Sequence, residues 1–166
     1  MNRLFAFPSG DERRKDGRTE IRHSKKTLLR QKNNIQKVKK IAEKAGFELR
    51  DFRTNRALEL FFNIYQGKKT FCYISKGWED PGFRIGENIV LNKNNRFFKE
   101  IFYDVFRICS RNLISLGILK ERNPNSLILS LETAIYKEGF NQISFKETVI
   151  NLKESLEQIR PLLKFK

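Results

Sequence analysis

The chain has 166 residues, of which 39% are hydrophobic and 32% are charged, and its formal net charge is +15. This length and apolar content are sufficient for one domain with a hydrophobic core, and they exclude a chain that is disordered throughout. So positive a chain predicts a polyanionic partner, and nucleic acid is the first candidate.

The sequence also predicts where the protein works. It contains no run of about 18 apolar residues that would span a membrane. Residues 1–10 are too short for a secretory signal and are followed at once by Asp11 and Glu12. We therefore expect a cytoplasmic protein without a membrane partner. Cys72 and Cys109 lie in apolar segments, which predicts buried free thiols, and we expect no disulfide, metal site or cofactor.

Positive charge is concentrated at the front of the chain, where residues 1–40 carry a net charge of +9. Residues 9–22 have no apolar period, and we expect residues 1–22 to form a basic flexible arm. Lysine and arginine in such an arm bind phosphates without reading base sequence, because the binding is driven by counterion release. The expected contacts in the arm are Arg13, Arg14, Lys15, Arg18 and Arg22.

Residues 23–45 predict an amphipathic helix. Leu28, Ile35, Val38 and Ala42 recur at helical spacing, and Gly46 is a helix stop signal. The expected phosphate contacts on this helix are Lys25, Lys26, Arg30, Lys37 and Lys40. A solvated surface helix would show the same pattern, but the near absence of acids favours phosphate binding.

From residue 47 to residue 91 the apolar period changes to two, which predicts four antiparallel strands. A Phe-rich stretch then predicts a helix that ends near Gly117. The predicted fold class is α+β: an antiparallel four-stranded sheet flanked by a basic N-terminal helix, a Phe-rich helix and a C-terminal helical segment.

Strand parity separates the aromatic residues of this sheet. If Leu60, Phe62 and Ile64 face the helices, the opposite face shows Phe61, Tyr65, Lys69, Phe71 and Tyr73. Two interpretations are open: the basic helix or a second copy of the chain covers this face, or its rings stack on unpaired bases. The expected contacts in this part of the chain are Arg53, Arg56, Tyr65, Lys68, Lys69, Phe71, Tyr73, Lys76, Trp78 and Arg84.

A longer stretch, "GENIVLNKNNRFFKEIFYDVFRICSRNLISLG", runs from Gly86 to Gly117 through an Asn-rich turn into the Phe-rich helix. Preceded by a basic meander, it resembles the β4α unit, four strands followed by a helix, of the Whirly, Pur-alpha and positive-cofactor-four single-stranded DNA-binding proteins. The resemblance covers residues 47–117. It implies a sheet that binds single strands through aromatic and basic residues, usually in a dimer or higher oligomer.

The C-terminal part, residues 121–166, is nearly neutral. Residues 126–136 fit a helical period and an alternating period equally well. Ser144 and Glu147 predict a capping box, and the apolar residues from Val149 to Leu163 follow a 3-4-3-4 spacing. We expect an arm at 1–22, a helix plus β4α core at 23–120, and a helical packing or oligomerisation segment at 121–166.

Most signatures of catalysis are missing. His23 is the only histidine, so machinery that pairs histidine with serine, cysteine or a second histidine lacks a partner. The turn at residues 67–70 lacks the first glycine of a phosphate loop. No acid is followed two residues later by lysine, as the common restriction-nuclease motif requires. We therefore expect no catalytic residues and no enzymatic activity.

The sequence predicts a non-catalytic protein that binds single-stranded DNA or RNA, with the arm and basic helix on phosphates and the sheet aromatics on bases. A structural RNA-binding subunit of a ribonucleoprotein complex and a small nuclease are the alternatives. A homo-oligomer or a larger nucleoprotein complex is a further expected assembly.

Overall fold

The structure is a computed structural model that describes residues 12–15, 18–21, 25–54, 59–77, 80–119 and 124–164. Of the predicted contacts, Arg22, Arg56 and Trp78 lie outside the described residues. Only the backbone is described for seven others: Arg13, Arg14, Lys15, Arg18, Lys25, Lys26 and Arg30.

The described residues form eight strands and three helices. In chain order they are β1 (Glu12–Lys15), β2 (Arg18–Ile21), α1 (Lys25–Lys44), β3 (Glu48–Thr54), β4 (Leu60–Gln66), β5 (Lys69–Lys76), β6 (Gly82–Asn92), α2 (Phe98–Arg111), β7 (Ser115–Leu119), β8 (Ser126–Tyr136) and α3 (Gln142–Leu163). Strands β1 and β2 pair as a separate hairpin, and the other six form one antiparallel sheet in the order β3-β4-β5-β6-β8-β7.

The α+β class is confirmed, but the predicted four-stranded sheet is wrong because the sheet has six strands. The four predicted strands correspond to β3, β4, β5 and β6. Strand β8 then pairs along the whole of β6, and β7 pairs with the far side of β8. Residues 126–136 are therefore a strand, and the C-terminal part is not helical throughout. Strand β7 escaped prediction because the Phe-rich helix was expected to end near Gly117. That helix end is wrong, since α2 ends at Arg111 and β7 begins at Ser115.

The two long helices match the predicted apolar stripes. On α1, Val38 and Ala42 are buried. On α3, the four buried members of the predicted stripe are Val149, Leu152, Leu156 and Ile159. The apolar stripe of α3 therefore packs within the chain. Of the two roles expected for this segment, packing and oligomerisation, the structure shows packing.

The predicted cap of α3 needs a correction. The N-cap of the helix is Asn141, three residues before the expected Ser144. The Asn141 side chain accepts hydrogen bonds from the backbone N–H groups of Ile143 at 2.9 Å and Ser144 at 3.1 Å. Ser144 Oγ in turn accepts from the backbone N–H of Asn141. The capping box therefore joins Asn141 and Ser144, not Ser144 and Glu147.

All three helices lie on one face of the six-stranded sheet, and α3 contacts α1 and α2 as well as β5, β6 and β8. The largest buried side chains between these layers are Phe62, Ile64, Ile74, Phe83, Ile85, Leu129, Leu131, Phe145, Leu152, Leu156 and Ile159. No described helix covers the opposite face of the sheet, which we call the open face. Leu60, Phe62 and Ile64 of β4 are buried on the helix side, as strand parity predicts.

The segment predicted as a flexible arm contains a paired hairpin among its described residues, from Glu12 opposite Ile21 to Lys15 opposite Arg18. The sequence did not indicate it because neither strand alternates apolar and polar residues. Flexibility of the arm stays a prediction. No helix among the described residues is both long and apolar enough to cross a membrane.

Both cysteines are free and buried, as predicted. Burial raises the pKa of the Cys109 thiol to about 11 and raises the pKa of the Cys72 thiol as well. Within the described ranges, no group of three or more His, Cys, Asp or Glu residues is arranged to hold a metal ion.

Candidate nucleic-acid interface

The outer surface of α1 is basic. Among the side chains of this helix that the structure describes, the exposed lysines are Lys32, Lys37, Lys39, Lys40 and Lys44. Glu43 is the one acid in this helix. Among the described residues, Lys32, Lys40 and Lys44 have no ion-pair partner. We call the five exposed lysines, Lys32, Lys37, Lys39, Lys40 and Lys44, the α1 lysine face.

Contacts with other parts of the chain hold part of this face in place. Lys37 Nζ donates to the backbone carbonyl of Lys137 at 3.4 Å, and Lys39 Nζ lies 5.8 Å from the centre of the Phe62 ring. At the end of α1, Gln142 Nε2 donates to the Lys44 carbonyl at 2.8 Å, which ties the helix to the start of α3. The lysines therefore project from a helix with a defined position. The sequence prediction included Lys37 and Lys40 but missed Lys32, Lys39 and Lys44, which share the same lysine-rich pattern.

The open face carries a row of side chains that crosses the sheet. Arg53 of β3 is opposite Phe61 of β4, and its guanidinium carbon lies 5.8 Å from the Phe61 ring centre. The rings of Phe61 and Tyr73 stack with centres 5.0 Å apart. Tyr73 Oη donates to Glu132 Oε1 at 2.6 Å and lies 3.3 Å from Ser130 Oγ. We call Arg53, Phe61 and Tyr73 the aromatic ladder.

Gly86 allows Tyr73 to reach across β6. The two residues are paired between β5 and β6. A Cβ atom at Gly86 would lie 2.9 Å from Tyr73 Oη and 2.7 Å from the Leu131 carbonyl oxygen, so any larger residue would force one of them to move. Ser75 and Ser130 are also small. The side chains beside the ladder therefore rise little above the sheet, which leaves a depression on the open face.

Beside the ladder lies a concave site of about 320 Å³ on the open face, which we call the trough. Side chains that line it include Phe61, Tyr73, Arg84, Asn88, Leu119 and Glu132. They come from β4, β5, β6, β7 and β8. The trough is therefore assembled by strand pairing across most of the sheet.

Carboxylates balance the charge of Arg84 at the trough. Its Nη2 atom lies 3.1 Å from Glu59 Oε1 and 3.0 Å from Asp80 Oδ2. Its Nη1 atom lies 4.0 Å from Glu132 Oε2. An arginine beside three acids has less attraction for a phosphate than a free one, and the phosphate contact by Arg84 stays a prediction.

Phe71 does not lie with the ladder. The register between β4 and β5 shifts at Phe71, which has no partner in β4. Lys153 Nζ of α3 lies 5.1 Å from the Phe71 ring centre, so this ring is on the helix-covered face. The expectation that Phe71 and Tyr73 share one stacking surface is wrong, because the β-bulge reverses the strand parity at this point.

Lys76 is also misplaced in the sequence prediction. It is buried, its Nζ donates to the carbonyl of Asp80, and it lies 5.6 Å from the Phe83 ring centre. It is therefore not available to phosphates. Lys68 and Lys69, in contrast, are exposed at the β4–β5 turn, where Gly67 has the positive φ of 62° that favours glycine.

Tyr65 belongs to a separate cluster at the β3 side of the open face. Tyr65 Oη and Asn63 Nδ2 both donate to Asp51 Oδ2 at 2.8 Å. The hydrogen bonds from Asn63 and then Tyr65 lower the pKa of the Asp51 carboxyl group. The Arg50 guanidinium carbon lies 4.8 Å from the Tyr65 ring centre. Of the aromatic residues predicted as contacts, Tyr73 is the one within the described ranges that lines the trough.

The position of Phe71 has a measurable consequence. We expect Phe71→Ala to lower the free energy of unfolding, by less than the about 3–5 kcal/mol typical of a fully buried phenylalanine, because the ring is only partly buried. Nucleic-acid affinity of the folded protein should not change. Denaturant unfolding and nucleic-acid binding are measured on the same sample. Phe61→Ala, which truncates a ring on the open face, is measured in the same way for comparison. Weaker binding by folded Phe71→Ala would contradict this placement.

No known protein family matches the chain, and no curated protein matches it. Among solved structures, the chain is similar to a crystal structure described as an uncharacterized protein from Methanothermobacter thermautotrophicus. The two share 13% sequence identity with a TM-score of 0.58, over 78% of this chain and 95% of the other. At this identity the similarity shows a shared fold alone.

The sequence missed most residues of the trough. Phe61 was placed on the correct face by strand parity but was not counted as a site residue. Glu132 and Ser130 carried no signal, because nothing in the local sequence indicates that β8 pairs beside β6. Gly86 is the one position where a signal was present, since an isolated glycine in a strand often marks a close approach.

Proposed function

We propose that this chain is a non-catalytic nucleic-acid-binding protein that holds phosphates on the α1 lysine face. The observation that carries the proposal is the set of five exposed lysines on a helix with Glu43 as its one acid. Such contacts supply affinity through counterion release, without dependence on base sequence.

The length of the lysine face suits a nucleic-acid strand. Lys32 and Lys44 are separated by twelve helical positions. At 1.5 Å per residue this is about 18 Å, which is equivalent to roughly five nucleotide steps of 3.4 Å along one strand. Basic residues at positions 13, 14, 15 and 18 precede α1 in the chain and extend the positive segment. We infer that they add further phosphate contacts.

We expect a preference for single strands over duplex DNA, as the resemblance to single-stranded DNA-binding proteins implies. Comparing single-stranded DNA, duplex DNA and RNA of equal length at equal salt concentration checks this expectation. Equal affinity for duplex and single strands would contradict the expected preference for single strands. It would not contradict the phosphate-binding proposal.

The salt dependence of binding tests the proposal directly. We expect the triple variant Lys32→Gln, Lys40→Gln, Lys44→Gln to bind a labelled single-stranded oligonucleotide more weakly. Its slope of log affinity against log salt should fall by about 2, since each lost phosphate contact on a single strand contributes about 0.7. Fluorescence anisotropy from about 50 to 200 mM salt covers the range in which such contacts matter.

A matched control removes the same charge elsewhere. Lys99 and Lys146 are exposed on α2 and α3, and Lys164 is exposed just after α3. Replacing these three by glutamine gives the same net charge as the α1 variant. If this control weakens binding as much as the α1 variant does, α1 is not the phosphate-binding surface. A flat salt profile of the unmodified protein would exclude phosphate-driven binding altogether.

A further inference from the structure

We propose that the trough on the open face binds an uncharged planar heterocycle with polar edges, which is the chemistry of a nucleobase. The ligand has two sources, a free nucleoside or an unpaired base of a bound strand. The inference extends the proposed function. It depends on that function only if the ligand is an unpaired base of a bound strand. Its chemistry follows from the charges, shape and polar groups of the trough.

The local charge favours a neutral ligand. Arg84 has three carboxylates within 4.0 Å, those of Glu59, Asp80 and Glu132. A phosphate or carboxylate in the trough would meet these acids. A cationic ligand would in turn meet Arg84 and Arg53, which both line the trough. With two arginines against three carboxylates, the trough disfavours an anion and offers a cation little net attraction, so recognition comes mainly from stacking and hydrogen bonds.

The shape of the trough fits a flat ring. Its volume of about 320 Å³ is at the lower end of the about 300–1,000 Å³ of small-molecule sites. The ladder forms one side, and Phe61 and Tyr73 are already parallel to within 27°. The hydrogen bond from Tyr73 Oη to Glu132 holds the Tyr73 ring in position. An aromatic ring that is held in place before the ligand arrives is a suitable stacking partner for a base.

Polar groups that can form further hydrogen bonds lie on the β6 and β8 side of the trough. The Asn88 side chain is exposed and has no hydrogen bond among the described residues, so its amide offers a donor and an acceptor in one plane. Glu132 Oε1 accepts from Tyr73 and Ser130, whereas its Oε2 has as its nearest charged neighbour an Arg84 nitrogen at 4.0 Å. Arg84 Nε is buried without a hydrogen-bond partner in the described part of the chain. A planar amide and a carboxylate oxygen are groups that pair with the edges of bases.

The trough is also connected to the α1 lysine face. Helix α1 contacts β3, which is the strand at one edge of the sheet. Arg53 on β3 is the first member of the ladder on the open face. A single strand that passes from α1 around this edge therefore meets the ladder, and its bases can enter the trough.

The test uses uncharged nucleosides, because they bind the trough without help from phosphate attraction. Adenosine, guanosine, cytidine and uridine are titrated into the full chain and followed by saturation-transfer NMR. We expect saturable binding of at least one of them, and we expect Asn88→Ala to weaken it about tenfold, the usual effect of losing a paired base edge. Asn33→Ala, an exposed asparagine on α1, is the matched control and should have no effect.

Further measurements separate the two sources and the two proposals. If the nucleoside displaces a bound oligonucleotide, the natural ligand is a base of the strand; if both bind together, it is a free heterocycle. The inference is overturned if no nucleoside binds saturably, or if Asn88→Ala behaves like Asn33→Ala. The triple lysine variant should keep nucleoside affinity. Loss of salt-dependent strand binding with nucleoside binding intact would reject the α1 proposal alone.

Discussion

Leu152→Ala should lower the free energy of unfolding by about 2–5 kcal/mol. Leu152 is completely buried at 0% exposure on α3, the helix that contacts both other helices and three strands. Truncation leaves a cavity that rigid neighbours on several sides cannot fill. A loss of this size is a large part of the about 5–15 kcal/mol that stabilises a typical domain. Urea unfolding followed by circular dichroism measures it.

Ile150 provides the control on the same helix. It is 38% exposed, so Ile150→Ala should have a much smaller effect. The double variant Leu152→Glu, Leu156→Glu should not fold, because it places two charges in the core without partners. If Leu152→Ala and Ile150→Ala lose similar stability, or if the double variant folds with native stability, α3 is not packed as described.

Gly82→Ala should be as damaging as a core truncation, for the opposite reason. Gly82 is paired with Tyr136 where β6 begins and β8 ends. A Cβ atom at Gly82 would lie 2.3 Å from the Ile135 carbonyl oxygen and 2.9 Å from Tyr136 Cα. Overpacking costs about 1–3 kcal/mol, and more in some sites. We expect the upper end or beyond, because the obstructing atoms are backbone and the two strands must separate.

Gly117→Ala is the matched control in β7. The nearest atoms to a Cβ there are 3.8 Å away, which is an ordinary contact. We expect no loss of stability, since replacing glycine reduces the entropy of the unfolded chain. Thermal unfolding of the two variants side by side makes the comparison. Equal melting temperatures would show that β6 and β8 do not approach each other as described.

Both experiments bear on the trough as well as on the fold. The pairing of β6 with β8 brings Glu132 beside Gly86, and the packing of α3 supports the same strands from the other face. A Gly82→Ala protein that remains folded should therefore also lose nucleoside binding, because Glu132 would move away from Tyr73.

Local periodicity was sufficient to predict much of this fold. The stripes Val38–Ala42 and Leu152–Leu156 were predicted as buried helix faces, and they are buried. The four strands β3 to β6 and the glycine turn at Gly67 were predicted from alternation and turn residues. These features depend on neighbours within a few residues, so the sequence by itself determines them. The basic outer surface of α1 follows from the same pattern.

Only the tertiary structure decided which distant residues meet. It places β8 between β6 and β7, so that Glu132 accepts a hydrogen bond from Tyr73, which lies 59 positions away in the chain. A one-residue bulge turns Phe71 to the helix side, and burial removes Lys76 from solvent. Strand order and register depend on the packing of a whole sheet against its helices, and a bulge changes parity without changing composition. The basic character of α1 was therefore predictable from the sequence, whereas the trough was not.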